Sequence, residues 1–284
     1  MRKHFFHIIV VAYNPGIRLD ETMDSLMEQG CRDFDVTIKD GGSKDGSIER
    51  LQGKYQTEIS AGVMNIISGT DSGIYDAMNI AINSLENNLE EKDGYVYFLN
   101  CGDLFYDEGV LESVKQRIKK SNSPSKSIFY GDIMQRTTMQ RVASSPVIND
   151  FTCYRNVPCH QACFYSLDLL MRENGAFNNE RYKVRADYEH FLRCIYQKGA
   201  SASYIDMVIS NYEGGGFSET KENRKLSERE RAEIVKMYLP AEKLFKFDLI
   251  RIISLAPLRT KIADNPKTAG IYNAVKDKIY SLKK

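Results

Sequence analysis

The sequence has almost no excess of charge of either sign. Its 39 basic residues face 38 acidic ones, a formal net charge of +1. A chain without a global positive surplus lacks the footprint of a nucleic-acid-binding protein, so nucleic acid is not expected as a partner. Long apolar runs are missing too, and no stretch reaches the length that spans a bilayer. Met1-Arg2-Lys3-His4 is followed only by a short apolar run, Ile8 to Ala12, which stops at Asn14-Pro15. A secretory signal has a longer apolar region ending in small residues. Paired cysteine spacings are also absent. Cys31, Cys101, Cys153, Cys159, Cys163 and Cys194 form no disulfide framework, and without an export signal they are expected as reduced thiols in a cytosol. Cys159-His160-x-x-Cys163 has a zinc-like spacing, but no second ligand pair stands at a matching one, and a buried strand with small thiols accounts for it better. No internal repeat is found.

What remains is ordinary globular material, 42% hydrophobic and 27% charged over 284 residues, enough for one large domain and a small appendage. Apolar patterning alternates between strand and helix. Strands are expected at His7–Ala12, Phe34–Ile38, Val63–Ile67 and Tyr95–Leu99, with a further one starting at Ile128. Helical faces fall between them at Leu19–Met27, Ile48–Tyr55, Ile74–Leu85 and Val110–Ile118. This rhythm predicts a mostly parallel α/β sheet, of about seven strands, with helices on both faces. Later come strand-like segments at Gln161–Tyr165 and Tyr204–Ile209, a helical face from Tyr188 to Ile195, and a charged helix at Arg224–Tyr238. From Ala241 onward ten basic residues meet four acidic ones, so that segment carries a surplus of six and the rest a deficit of five. It reads as a basic, amphipathic helical tail broken around Pro257 and Pro266.

Ligands of such sheets bind beyond the carboxyl ends of the strands. Polar residues stand at four of those ends. They are Asn14 in Val10-Val11-Ala12-Tyr13-Asn14, Asp40 in Asp40-Gly41-Gly42-Ser43-Lys44-Asp45-Gly46-Ser47, Asp71 in Asp71-Ser72-Gly73-Ile74-Tyr75-Asp76-Ala77-Met78-Asn79, and Asn100 with Asp103 in Phe98-Leu99-Asn100-Cys101-Gly102-Asp103. One such residue is a cap or a turn; four on one edge suggest a site.

In this order and spacing the motifs resemble glycosyltransferase family 2, most of all its members that build bacterial O-antigens, capsules and exopolysaccharides. The resemblance covers roughly Ile8 to Tyr212. It implies a GT-A (nucleotide-diphospho-sugar transferase) fold over residues 1–240, with 241–284 as the helical tail. It implies a metal-dependent, inverting transfer of a hexose or N-acetylhexosamine from a UDP-sugar to a saccharide acceptor, lipid-diphosphate-linked, in surface polysaccharide synthesis. A cytoplasmic enzyme, peripheral on an anionic inner membrane face, follows from that acceptor and the basic tail.

Site residues follow by position in the motifs. Tyr13, Asn14, Asp40, Asp71, Asn79 and Asn100 are expected around the nucleotide. Asp40 would accept the uracil or guanine imide N–H, or else close an Asx turn before Gly41-Gly42. Asp71 would meet base or ribose, cap the following helix, or both. Asp103 is the expected ligand of Mn²⁺ or Mg²⁺, whose charge offsets that of the leaving diphosphate; otherwise it caps the next helix. The family's Asp-x-Asp is altered here to Asn100-Cys101-Gly102-Asp103, which implies fewer protein ligands and more from the diphosphate. Arg185-Ala186-Asp187-Tyr188-Glu189 matches the site of the general base, with Asp187 in the role and Glu189 as the alternative carboxylate. His160 and Gln161 resemble a pair near acceptor or phosphates. Gly215 and Ser218, in Gly214-Gly215-Gly216-Phe217-Ser218, resemble a loop beside the diphosphate, followed by Lys221, Arg224 and Lys225.

Two rivals stand beside this reading. A nucleotidyltransferase of the same fold would carry a basic, Gly-rich triphosphate loop after strand one, where this chain has Tyr13-Asn14-Pro15-Gly16. A catalytically inactive nucleotide-sugar-binding or scaffold protein is kept open by the altered metal motif and by Ala186.

Overall fold

The structure, a computed structural model, describes residues 4–88, 94–121, 125–170, 176–214 and 220–253. The chain divides into two compact units, the first ending at Ile234 and the second starting at Val235. Along the first unit run β1 (Phe6–Ala12), α1 (Arg18–Met27), β2 (Phe34–Asp40), α2 (Ser47–Lys54), α3 (Gln56–Ser60), β3 (Met64–Ser68), α4 (Ile74–Asn88) and β4 (Tyr95–Phe98). They are followed by β5 (Leu104–Phe105), α5 (Val110–Lys119), β6 (Ser127–Gln135), β7 (Gln140–Val142), α6 (Asp150–Arg155) and β8 (Cys163–Ser166). The unit is completed by α7 (Leu167–Leu170), α8 (Ala186–Tyr196), β9 (Ser201–Tyr212) and most of α9 (Lys221–Tyr238). The second unit holds the end of α9 and α10 (Ala241–Ile253). The helices expected around Pro257 and Pro266 lie outside the described residues.

All strands belong to one sheet ordered β3-β2-β1-β4-β8-β6-β9-β5, with β7 paired to β6. The β3-β2-β1-β4 half is parallel throughout, with Ala12 opposite Asp40, Asp40 opposite Ser68 and Ile9 opposite Phe98. Antiparallel β8 then joins β4 to β6, and β6 runs parallel to β9. The sheet has nine strands rather than seven because β5 and β7, two and three residues long, are too short to leave an apolar run in the sequence. The strand expected from Gln161 starts only at Cys163, because residues His160–Ala162 turn as a 3₁₀ helix first.

Every residue of β1 is buried, as a central strand covered on both faces requires. Ile8, Val10 and Ala12 share a core cluster with Val36 and Ile38 of β2 and with Leu19, Met23 and Leu26 of α1. Met78, Ala81 and Ile82 of α4 are buried as well, at the helical spacing seen in the sequence.

A bulge between β6 and β9 shifts the register between Tyr130 and Asp132, and Gly131 sits within it. A Cβ on Gly131 would stand 2.6 Å from the Met207 carbonyl oxygen and 2.8 Å from Ile209 Cγ1. Backbone cannot yield as a side-chain tip can. Gly131→Ala is therefore expected to lower unfolding free energy by about 1–3 kcal/mol, as overpacking does. Urea titration should show an earlier midpoint at constant slope, and an unmoved midpoint would refute this close approach.

Candidate active site

The parallel half of the sheet delivers the loops after β1, β2 and β3 to one edge. The first two are laced together. The Asn14 N–H donates to Ser43 Oγ at 2.8 Å, and Asn14 Oδ1 accepts from the Lys44 N–H at 2.9 Å. The Gly16 N–H donates to Asp45 Oδ2 at 2.7 Å, and Arg50 bridges Asp20 Oδ2 and the Gly16 carbonyl. Asn14 itself takes a left-handed backbone, φ 45°, which an Asn tolerates in a tight turn. Asn14 thus shapes the rim through its main chain and its Oδ1.

Asp40 is buried and accepts from the Ser43 N–H, three residues on, at 3.0 Å, which closes the turn after β2. Asp71 Oδ1 accepts from the Gly73 N–H at 3.2 Å and its Oδ2 from Lys39 Nζ at 2.8 Å. Tyr13, 70% exposed, lies beside both loops. A Cβ on Gly41 would come 3.0 Å from the Tyr13 ring and 3.2 Å from Asp71 Oδ2, so ring and carboxylate both lie close against this glycine. Asn79 is buried, its amide bound to the main chain of Phe177 at both ends, 2.8 Å to the carbonyl and 2.9 Å from the N–H. It joins α4 to the segment that precedes α8.

After β4 the chain turns through Asn100 and Gly102, whose φ is +101°. Asp103 is 4% exposed, and burial pushes its carboxyl up to about 6. Its Oδ1 accepts the Glu213 N–H at 3.0 Å, while the Glu213 carboxylate reaches Arg18 Nε at 3.1 Å. A Cβ on Gly102 would collide with Glu213 Oε2. Asn100 Oδ1 is buried without a hydrogen-bond partner. Carboxylate and amide oxygens such as those of Asp103 and Asn100 are hard donors of the kind that suits Mg²⁺ or Mn²⁺. No group of three or more His, Cys, Asp or Glu residues stands together among the described residues. The protein would therefore hold a cation by few ligands. Sequence reading missed Glu213 because it lies 110 residues from Asp103, at the end of a strand whose pairing with β5 no local pattern reveals.

Asp187 lies in the first turn of α8. Its Oδ1 is 2.9 Å from the Tyr75 hydroxyl, which is also 2.9 Å from the Val184 carbonyl. The phenol has one proton, and the charged acceptor is the stronger. The segment entering α8 is held by Glu230 of α9, whose carboxylate accepts the N–H groups of Lys183 (2.8 Å), Val184 (3.0 Å) and Arg185 (2.8 Å). Glu189, the alternative carboxylate, is buried and paired with Arg193 at 3.4 Å. The helix therefore turns Asp187 and Glu189 to different partners.

His160 is buried against Phe98, with ring centroids 4.6 Å apart, and against Phe177 at 5.6 Å. Neither ring nitrogen has a partner. Burial holds its pKa down at about 4, with Asp187 the opposing influence. At neutral pH it is an uncharged hydrogen-bonding group. The Gln161 carbonyl accepts from the Tyr97 and Ser210 hydroxyls, which fixes the turn, and its side-chain oxygen accepts from Cys159 Sγ. Burial pushes the Cys159 thiol up to about 12 and Cys163 well above the usual thiol range, as suits small buried thiols. All six cysteines are free. Gly215 and Ser218 lie outside the described residues; Gly214, with φ +80°, is the last residue before them.

A run of parallel strands with polar residues at their carboxyl ends, continued by a half of mixed direction, is the arrangement of a GT-A glycosyltransferase fold. The chain belongs to glycosyltransferase family 2, whose model matches residues 7–167. A relative from Mycobacterium bovis BCG, named a PGL/p-HBAD biosynthesis glycosyltransferase, is 30% identical over 230 residues, 81% of this chain and 85% of its own. Among solved structures, Staphylococcus aureus TarS 1–349 superposes with a TM-score of 0.58 at 16% identity, covering 73% of this chain and 60% of that one. TarS 1–349 with UDP-GlcNAc gives 0.54 at 15% identity, covering 82% and 71%. The mannosyltransferase PcManGT from Pyrobaculum calidifontis, with GDP-Man and Mn²⁺, gives 0.55 at 16% identity, covering 80% and 61%. At such identities the structural likeness speaks for the fold.

Asp103 carries a stability consequence. Its folded pKa, about 6, exceeds the ordinary 3.8, so the folded state binds more protons between those values and loses stability as pH rises through them. Asp103→Asn removes this cost. In chelator it is expected to raise unfolding free energy at pH 7.5 by on the order of 2 kcal/mol and to leave it nearly unchanged at pH 3.5. Melting curves at both pH values check this; a destabilised variant at pH 7.5 would contradict it.

Proposed function

We propose that the protein is an inverting transferase that moves a hexose or N-acetylhexosamine from a UDP-sugar to a saccharide acceptor, with Mn²⁺ or Mg²⁺ bound at Asp103. The observations that carry the reading are three local pairings: Tyr13 and Asp71 either side of Gly41, Asp103 with the Glu213 N–H after β4, and Asp187 with the Tyr75 hydroxyl. The exposed Tyr13 ring offers a face for the base. The oxygen donors of Asp103, Asn100 and Glu213 would hold the cation, which when bound offsets the charge of the leaving diphosphate. Asp187 takes the proton of the acceptor hydroxyl. The Tyr75 hydroxyl orients that carboxylate, and His160 adds an uncharged hydrogen bond for acceptor or phosphate. Gly215 and Ser218 are proposed to line the diphosphate, on sequence resemblance. UDP-GlcNAc and GDP-Man with Mn²⁺ in the structural neighbours support the donor class and the cation.

The test is a panel of UDP- and GDP-sugars assayed for Mn²⁺-dependent thermal stabilisation and for slow donor hydrolysis. A nucleotide-sugar-binding scaffold would be stabilised but would never hydrolyse. Asp187→Asn keeps the shape of the base without its proton affinity. It is expected to retain UDP-sugar affinity within about threefold while transfer falls by 10²–10⁴, the usual worth of a general base. An active Asp187→Asn alongside an inactive Glu189→Gln would move the base to Glu189.

The acceptor is proposed to be a lipid-diphosphate-linked saccharide at an anionic cytoplasmic membrane face, in surface polysaccharide synthesis. The glycolipid-pathway name of the mycobacterial relative supports this, as does α10. No helix among the described residues is long and apolar enough to cross a membrane. On α10, Phe245, Leu249, Ile252 and Ile253 are exposed along one side, while Phe247 is buried. Lys243, Lys246 and Arg251 are exposed on the same helix. Basic residues near an anionic leaflet contribute roughly 1 kcal/mol each. Flotation with phosphatidylglycerol vesicles is expected to be strong at low salt and lost in 0.5 M NaCl (about a 4 Å screening length) or on Lys243→Glu with Lys246→Glu. Binding indifferent to salt and lipid charge would refute the electrostatic anchor.

A further inference from the structure

Lys39, the penultimate residue of β2, is buried, its side chain 2% exposed. A lysine is almost never fully buried without partners, and here it has three. Its Nζ donates to the Gly69 carbonyl at 2.7 Å, to the Asp40 carbonyl at 2.8 Å and to Asp71 Oδ2 at 2.8 Å. Each of the three ammonium protons has an acceptor. The acceptors come from the end of β2, the residue after β3 and the loop before α4.

Stability alone does not account for this choice. A buried ion pair is seldom better than well-packed apolar residues of the same volume, because both charges must leave water. A well-packed apolar pair in place of both Lys39 and Asp71 would serve the sheet as well, but only the lysine fixes a carboxylate there. That carboxylate is held at both oxygens, by Lys39 and by the Gly73 N–H, and still keeps 15% of its side-chain surface open. It faces Gly41, beside the exposed ring of Tyr13. Asp40, the imide acceptor expected from the sequence, is 2% exposed and bound to the Ser43 N–H, so Asp71 is the fixed acceptor at the margin of the ring, suited to a base that lies on the ring and presents an N–H at its edge.

We propose that Lys39 is a positioning residue for nucleotide selection: by anchoring Asp71 it makes the site favour bases with an imide N–H, uracil or guanine, over cytosine. Cytosine presents a lone pair where uracil presents N3–H, so the anchored carboxylate meets acceptor with acceptor. The inference rests on the nucleotide site proposed above and adds its selectivity.

The experiment measures dissociation constants for UDP, GDP and CDP, with Mn²⁺, by calorimetry on the full chain and on Lys39→Met, Asp71→Asn and the double variant. Wild type is expected to bind UDP or GDP at least tenfold more tightly than CDP. Asp71→Asn should erase most of that preference, a loss on the order of ten- to a hundredfold for a hydrogen bond to a charged group. Lys39→Met should erase it too, and the double variant should lose no more than Asp71→Asn alone, because one residue acts through the other. A purely structural lysine would weaken all three nucleotides equally and add its loss to that of Asp71→Asn, which would overturn the proposal. If Lys39→Met does not fold, Asp71→Asn decides alone, since it leaves Lys39 both carbonyl acceptors; an unchanged preference there overturns the inference. A wild-type chain that binds none of the three overturns the nucleotide site itself, and the inference with it. A chain that binds UDP or GDP but whose variants keep its preference over CDP overturns the inference alone.

Discussion

The parallel pairing of β1 with both of its neighbours is the constraint on which the site depends. Residue-for-residue register brings Ala12, Asp40 and Ser68 level, so the chain leaves three strands at the same height. Side chains scattered over some sixty residues then share one edge. The loops are not left to find each other. Asn14, Ser43, Asp45 and Arg50 bind the first two, and Lys39 ties the second to the third. Chemistry that needs groups within a few ångströms rests here on main-chain geometry with polar fastenings.

The two carboxylates argued to do the chemistry sit in opposite settings. Asp103 is buried, has Glu213 for a neighbour, and is disfavoured as an anion. On the proposed reading a divalent cation would relieve that crowding. Asp187 sits at the start of a helix with the Tyr75 hydroxyl 2.9 Å from its Oδ1.

The parallel half of the fold was legible in the sequence because β1, β2 and β4 are buried almost throughout and its helices carry clean apolar stripes. The ordered motifs revealed most of the donor edge for the same reason: each residue follows directly on a recognisable strand. The second half was harder to read. β5 and β7 are too short to register, and the turn at His160 hides in an apolar run. Tyr75, Glu213 and Glu230 act across 112, 110 and about 45 residues of sequence, and nothing local to them marks the contact. Lys39 was overlooked on chemical grounds, since a lysine in a strand is ordinarily a solvent-facing residue. Asn79 was legible as part of a motif, but what it grips, the Phe177 main chain, belongs to the tertiary structure.

Glu230 has a consequence for how the molecule is partitioned. The family match closes at residue 167, before Asp187, and Asp187 is delivered by a stretch of backbone whose N–H groups end on a helix starting at Lys221. The portion that is recognisable by descent and the portion that must fold as one piece therefore have different limits. A fragment trimmed to the recognisable part would keep the loops after β1, β2 and β3 and lose Asp187. One trimmed after β9 would keep Asp187 in its covalent structure but release the backbone that aims it. Catalytic competence in this chain is a property of a longer segment than ancestry alone marks out.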